Sequence, residues 1–101
     1  MSTHYVSSRW KVKRGREDEF VAAFETFALW AELNHPEGGT ARLLQNVDEP
    51  LQMTGMWEFP GGEAIKRWRE QKDVVEHMGR LEALAEHLEE SVFEVRVVVG
   101  G

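Results

Sequence analysis

Residues 5–20, YVSSRWKVKRGREDEF, change rhythm partway through, and that change decides the fold. Val6, Ser8, Trp10 and Val12 alternate with Tyr5, Ser7, Arg9 and Lys11, the period-two pattern of a strand with one buried face. Lys13, Arg14 and Gly15 turn the chain. Glu17, Asp18 and Glu19 then put carboxylates where the positive end of a helix stabilises them. From Phe20 onward the spacing is helical: Phe20, Phe24, Phe27 and Ala31 recur on one side, with Val21 and Ala28 beside them. The helix runs to about Asn34, where NHPEGG (34–39) stops it with Pro and Gly.

TARLLQNV (40–47) and LQMTGMWEF (51–59) read as two strands joined across DEP. Leu51, Met53, Gly55, Trp57 and Phe59 share a face of the second. PGG ends it, a second helical region covers about 63–90, and VFEVRVVV (92–99) is a closing strand with Phe93, Val95, Val97 and Val99 on one side. The order is βαββαβ. Such an order builds a ferredoxin-like α+β sandwich, a four-stranded antiparallel sheet with its helices on one face. The other sheet face mixes Tyr5, Met56, Val92 and Val98 with Arg9, Glu58, Glu94 and Arg96. A second copy packing there is one way to cover it.

The second helical region contains KRWREQKDVVEHMGRL (66–81). On one unbroken helix, nine steps of about 100° would put Trp68 and His77 on opposite sides. Asp73 is a strong N-cap residue and Glu76 follows three positions later, so a fresh helix start is expected at Asp73, after a short helix from Glu63 to Glu70. Val74, Met78, Leu81, Ala85 and Leu88 then form the stripe facing the sheet. His77 lies at its edge near Leu81 and Leu84, and His87 points toward solvent. With the break, Trp68 and His77 are free to face one space.

Ser8, the polar residue on the helix-facing side of the first strand, and Gly55, which removes volume from the same layer, lie where that space would be. A Ser, a Gly and a His among Phe, Trp, Met and Val side chains have the composition of a small-molecule pocket. The candidate catalytic residues are therefore His77, Trp68 and Ser8, with Trp57, Gly55, Phe24 and Leu81 as candidate substrate walls. Each has a structural alternative: His77 as a core-margin residue, Trp57 and Trp68 as packing, Ser8 as a small filler, Gly55 as a bulge.

Composition narrows the classes. The chain has 101 residues, fits one domain spanning 1–101, and carries a net charge of −6. That charge argues against a nucleic-acid binder. The chain contains no cysteine, which excludes disulfides and thiolate chemistry. No apolar run approaches a membrane span and no leader-like pattern opens the chain, so a cytoplasmic location is expected. The four His show no metal-ligand spacing.

KVKRGREDEF (11–20), HPEGGTARLLQ (35–45), MWEFPGGEAIKRW (56–68) and the closing FEVRVVVGG (93–101), in this element order, resemble the antibiotic-biosynthesis monooxygenase superfamily of dimeric α/β-barrel proteins. The resemblance implies a homodimer and a monooxygenase acting on a small, flat, hydrophobic aromatic molecule of quinol or anthrone type. His77 would be base or ligand, Trp68 a wall and Ser8 a polar contact. In the cofactor-independent branch, a strand-three Trp is matched by Trp57, while Met53 and Ile65 stand where that branch has Asn and Tyr. In the haem-degrading branch, His77 would be the axial ligand beside Trp68, and Ser8 stands where that branch has Asn. The resemblance thus favours no cofactor, with haem as the alternative. A dimeric ligand-binding protein without catalysis is the third reading.

Overall fold

The structure, a computed structural model, describes residues 3–100. Its elements are β1 (His4–Val12), α1 (Glu17–Asn34), β2 (Ala41–Gln45), β3 (Gln52–Phe59), α2 (Gly62–Arg69), α3 (Lys72–Leu84) and β4 (Ala85–Glu94). The strands form one antiparallel sheet in the order β2-β3-β1-β4. This is the ferredoxin-like α+β arrangement that the βαββαβ order predicts. Gly15, at φ 85°, supplies the left-handed backbone in the turn from β1 to α1. On the helix side of the sheet, Trp10, Val12, Phe20, Phe27 and Leu81 form the fully buried centre of a single core cluster.

The second helical region is broken between Trp68 and His77, as Asp73 and Glu76 predict, but the restart differs in detail from the expectation. Gln71, in an extended conformation, is the N-cap of α3, and no side chain caps the first turn. Asp73 lies inside that turn, where its carboxylate meets the positive helix end without forming a capping box. The Gln71 N–H instead bonds the Trp68 carbonyl at 3.1 Å, which tucks the end of α2 against the start of α3.

The larger correction concerns the last strand. α3 ends at Leu84, and the chain passes directly into β4, so Ala85 and Leu88 are strand residues and the helix does not reach residue 90. Lys13 holds the junction: its N–H bonds the Leu84 carbonyl at 2.9 Å and its Nζ bonds the Ala83 carbonyl at 3.0 Å, satisfying acceptors that a helix end leaves open. Ala85 and Leu88 fitted the helical stripe only because three- and four-residue steps continue formally into the strand. His87, expected near solvent, is half-buried and stacks on Trp10 with ring centroids 4.2 Å apart.

A bulge then shifts the pairing of β4 with β1 between Arg9 and Trp10, where Glu89 pairs with Arg9 and His87 with Trp10. Leu88 is the extra residue. One inserted residue exchanges the two faces for everything that follows. Phe93 therefore pairs with Tyr5 on the open face and Val92 with Val6 on the helix side, the reverse of the sequence expectation. Residues 95–99, expected to continue the strand, are not part of it.

Candidate functional site

Trp68 and His77 do converge, and the ring they converge on is Phe27. Its centroid lies 5.4 Å from Trp68 and 4.8 Å from His77, with interplanar angles of 10° and 4°. Trp57 reaches the same ring at 4.8 Å, and Trp68 at 5.1 Å. Phe27 projects from the middle of α1, whose Phe20, Phe24, Phe27 and Ala31 spacing aims it at the sheet. The space foreseen between Trp68 and His77 is thus occupied by a side chain that is 1% exposed.

The other candidates surround this stack. Ser8 is buried and lies in register between Gly55 of β3 and Glu90 of β4. A Cβ on Gly55 would lie 2.8 Å from Cε2 of Phe24, so the volume Gly55 gives up is taken by that ring. Leu81 is fully buried in the core. His77 is partly buried, and its Nδ1 lies 3.4 Å from Nη1 of Arg80. Burial, reinforced by the Arg80 charge, holds its imidazole below the ordinary value, although Asp73 and Glu76 pull the other way.

A cavity of about 720 Å³ opens on the far side of the aromatic stack, between the C-terminal half of α1, the loop from His35 to Thr40 and the end of β3. This volume suits a small organic ligand. Trp57, Phe59 and Trp68 form its aromatic wall, and the acidic residues lining it are Glu25, Glu32 and Glu58. Glu58 is partly engaged, since Oε2 accepts a hydrogen bond from the Tyr5 hydroxyl at 3.0 Å. Gly39 lets the loop lie against Glu58, whose Cδ would be 2.5 Å from any Cβ at that position. Of the sequence candidates, Trp57 and Trp68 line this cavity; His77, Ser8, Gly55, Phe24 and Leu81 do not.

His35, in the NHPEGG stretch that stops α1, lines it too. Its backbone N–H bonds the Ala31 carbonyl at 2.7 Å, and its carbonyl accepts from Gly38 N–H at 3.0 Å, so both sides of the residue are tied down. Pro36 keeps His35 out of the helical region, which turns the chain off the end of α1. The ring then stands edge-on to Trp30 at 5.4 Å and to Trp68 at 5.3 Å. The signal for it was the placement of a His between a helix end and a Pro, directly beside an aromatic-rich face.

Among the described residues, no group of three or more His, Asp or Glu side chains is placed to hold a metal ion. None of their helices is long and apolar enough to cross a membrane.

The fold defines the chain as a small ferredoxin-like α+β protein with a cavity at one end of its aromatic core. Among solved structures, the chain is similar to SnoaB, a cofactor-independent oxygenase from Streptomyces nogalater, with a TM-score of 0.82 and 21% identity over 99% of this chain and 98% of that one. A point mutant of SnoaB gives a TM-score of 0.85 at 22% identity with the same coverage. A structure described as an antibiotic biosynthesis monooxygenase gives 0.74 at 12% identity, covering 95% of this chain and 99% of that one. No protein-family model and no curated protein matches the chain. The likeness is therefore one of fold, and it extends over nearly the full length of the compared chains.

Proposed function

We propose that the protein is a cofactor-independent monooxygenase that oxidises a flat, uncharged, hydroxylated aromatic molecule of the quinol or anthrone class in the cavity walled by Trp57 and Trp68. The observation that carries this reading is the cavity's composition: indole and phenyl faces on one side, and no Lys or Arg among its lining residues. Indole faces accept a planar ring system, and carboxylates accept hydrogen bonds from its hydroxyl groups. A carboxylated or phosphorylated substrate would meet like charge. Similarity of fold to SnoaB, described as a cofactor-independent oxygenase, supports the same reading.

The chemistry rests on the substrate. Once deprotonated, a conjugated phenol or anthrone is electron-rich enough to reduce dioxygen directly. In the anthrone case a ring methylene loses both hydrogens and gains one oxygen atom as a carbonyl, and the second oxygen leaves as water. The protein supplies a dry aromatic slot, orientation and help with the proton. His77 is poorly placed to serve as a haem ligand in this cavity. The His77 ring is stacked on Phe27, has Trp30 at 5.2 Å and faces Arg80 through Nδ1, and the cavity offers no cation for the propionates.

Oxygen uptake with a panel of hydroquinones and anthrones tests the reading. Uptake above the buffer rate, lowered on the order of 100-fold by Trp68→Ala through lost orientation, is the expected result. Binding without uptake across the panel would make this a ligand-binding protein. The assembly is proposed to be a homodimer through the open sheet face, where Tyr5, Met56 and Phe93 lie with no helix over them.

A further inference from the structure

We infer that His35 is the general base of the cavity and removes the acidic C–H or O–H proton of an uncharged aromatic substrate held against Trp68. The inference rests on the cavity being the substrate site, as proposed above, and adds the residue that performs the proton step. Three observations converge on it. His35 is the imidazole among the residues lining the cavity, whereas His77 lies behind Phe27. Its ring stands nearly perpendicular to the Trp68 indole, at 74°, so it borders the same wall against which a flat ligand would lie. Its position is fixed through both backbone hydrogen bonds, to Ala31 and Gly38, and this preorganises a side chain that must meet one substrate atom.

A carboxylate completes the arrangement. Nδ1 of His35 lies 3.7 Å from Oε1 of Glu37. A carboxylate on that side favours the tautomer with hydrogen on Nδ1 and leaves the Nε2 lone pair as the acceptor. In the step, the substrate C–H or O–H bond breaks, the proton passes to Nε2, and the electron pair stays on the ring system as a delocalised anion. The imidazolium that forms lies beside the Glu37 carboxylate. The step consumes no oxidant, so it is separable from the oxygen chemistry that follows.

Anaerobic exchange tests this directly. The full-length protein is mixed with anthrone in heavy water under argon, and loss of the methylene proton signal is followed by NMR. Anthrone binding is measured in parallel through quenching of indole fluorescence. Wild type is expected to accelerate exchange above buffer, with His35→Gln and His35→Ala lowering the acceleration on the order of 100-fold while binding stays within a few-fold. Added imidazole is expected to restore part of it in His35→Ala. Variants that bind anthrone and still exchange like wild type would overturn the assignment, as would a wild type that binds anthrone without accelerating exchange. If exchange depends on His35 but aerobic oxygen uptake is absent, the base stands and the oxygenase reading fails. If oxygen uptake is present and indifferent to His35, the oxygenase stands and the base fails.

Discussion

Phe27 shows how one side chain decides what its neighbours can do. By lying against Trp57, Trp68 and His77 together, it turns a possible slot into a wall and moves the open volume to the other side of Trp68. Gly55 supports the same wall from below. An added methyl would lie 2.8 Å from Phe24, a ring held in the core, so Gly55→Ala is expected to cost about 1–3 kcal/mol by overpacking. Urea unfolding would measure it, and a variant as stable as wild type would show that Phe24 can move aside. His77 contributes through pH. Its folded pKa lies below the unfolded value near 6.5, so the folded chain takes up that proton less readily. The stability associated with the neutral ring is complete above about pH 6.5 and is lost as the pH falls below it. His77→Phe should therefore lose less thermal stability than wild type between about pH 7.5 and about pH 5.5. Equal losses would rule out His77 as a source of acid sensitivity.

At the scale of elements, legibility followed from how local each signal was. The strand-to-helix change at residues 5–20 needs only neighbours along the chain, and it gave β1 and α1 with their buried faces correctly oriented. The helix break was also readable from Asp73 and Glu76, although the helix restarts with Gln71 as its N-cap and no capping box forms. β4 was not readable in the same way. Its first half, AEHLEE, is poor in β-branched residues and follows a helix without a Gly or Pro, so strand propensity there is weak. Pairing with β1 makes it a strand, and the bulge at Leu88 that sets its faces leaves no mark in the spacing. His35 escaped for a related reason, since its neighbours Trp30 and Trp68 belong to separate helices. The N-cap of α3 offers a test at this scale. Gln71 makes no side-chain cap bond, and its side chain reaches only the Arg67 carbonyl at 3.4 Å. Gln71→Asp would place an acceptor at the free N–H groups and is expected to stabilise the chain by about 0.5–1 kcal/mol. A lower melting temperature in that variant would mean the Arg67 contact matters more than the cap.

For the whole molecule, the organising asymmetry is between the two faces of the sheet. One carries the helices and the aromatic core; the other carries none, yet Phe93 is 54% exposed and Leu44 52% on a face that also holds Tyr5 and Met56. Beyond β4, Val97, Val98 and Val99 are more exposed still. Apolar groups gathered this way on a surface mark an association site more often than a solvated face. The ionic groups there are positioned to allow it: Arg9 pairs with Glu89 at 2.9 Å and Tyr5 with Glu58 at 3.0 Å, so several charged or polar groups already have partners before a second surface arrives. A second copy presents the same set in reverse and satisfies the symmetry of a two-fold interface. The expected mass by light scattering at micromolar concentration is therefore twice that of one chain. Phe93→Glu should shift it to one chain, because it places a carboxylate beside Tyr5 on the apolar open face of each facing sheet. Its far-UV circular dichroism should remain that of wild type, since Phe93 packs on the open face and outside the core cluster. A wild type that scatters as a single chain would leave the open face without its partner. A Phe93→Glu protein that remains double would move the interface elsewhere, with the Val97–Val99 segment as the next surface to probe.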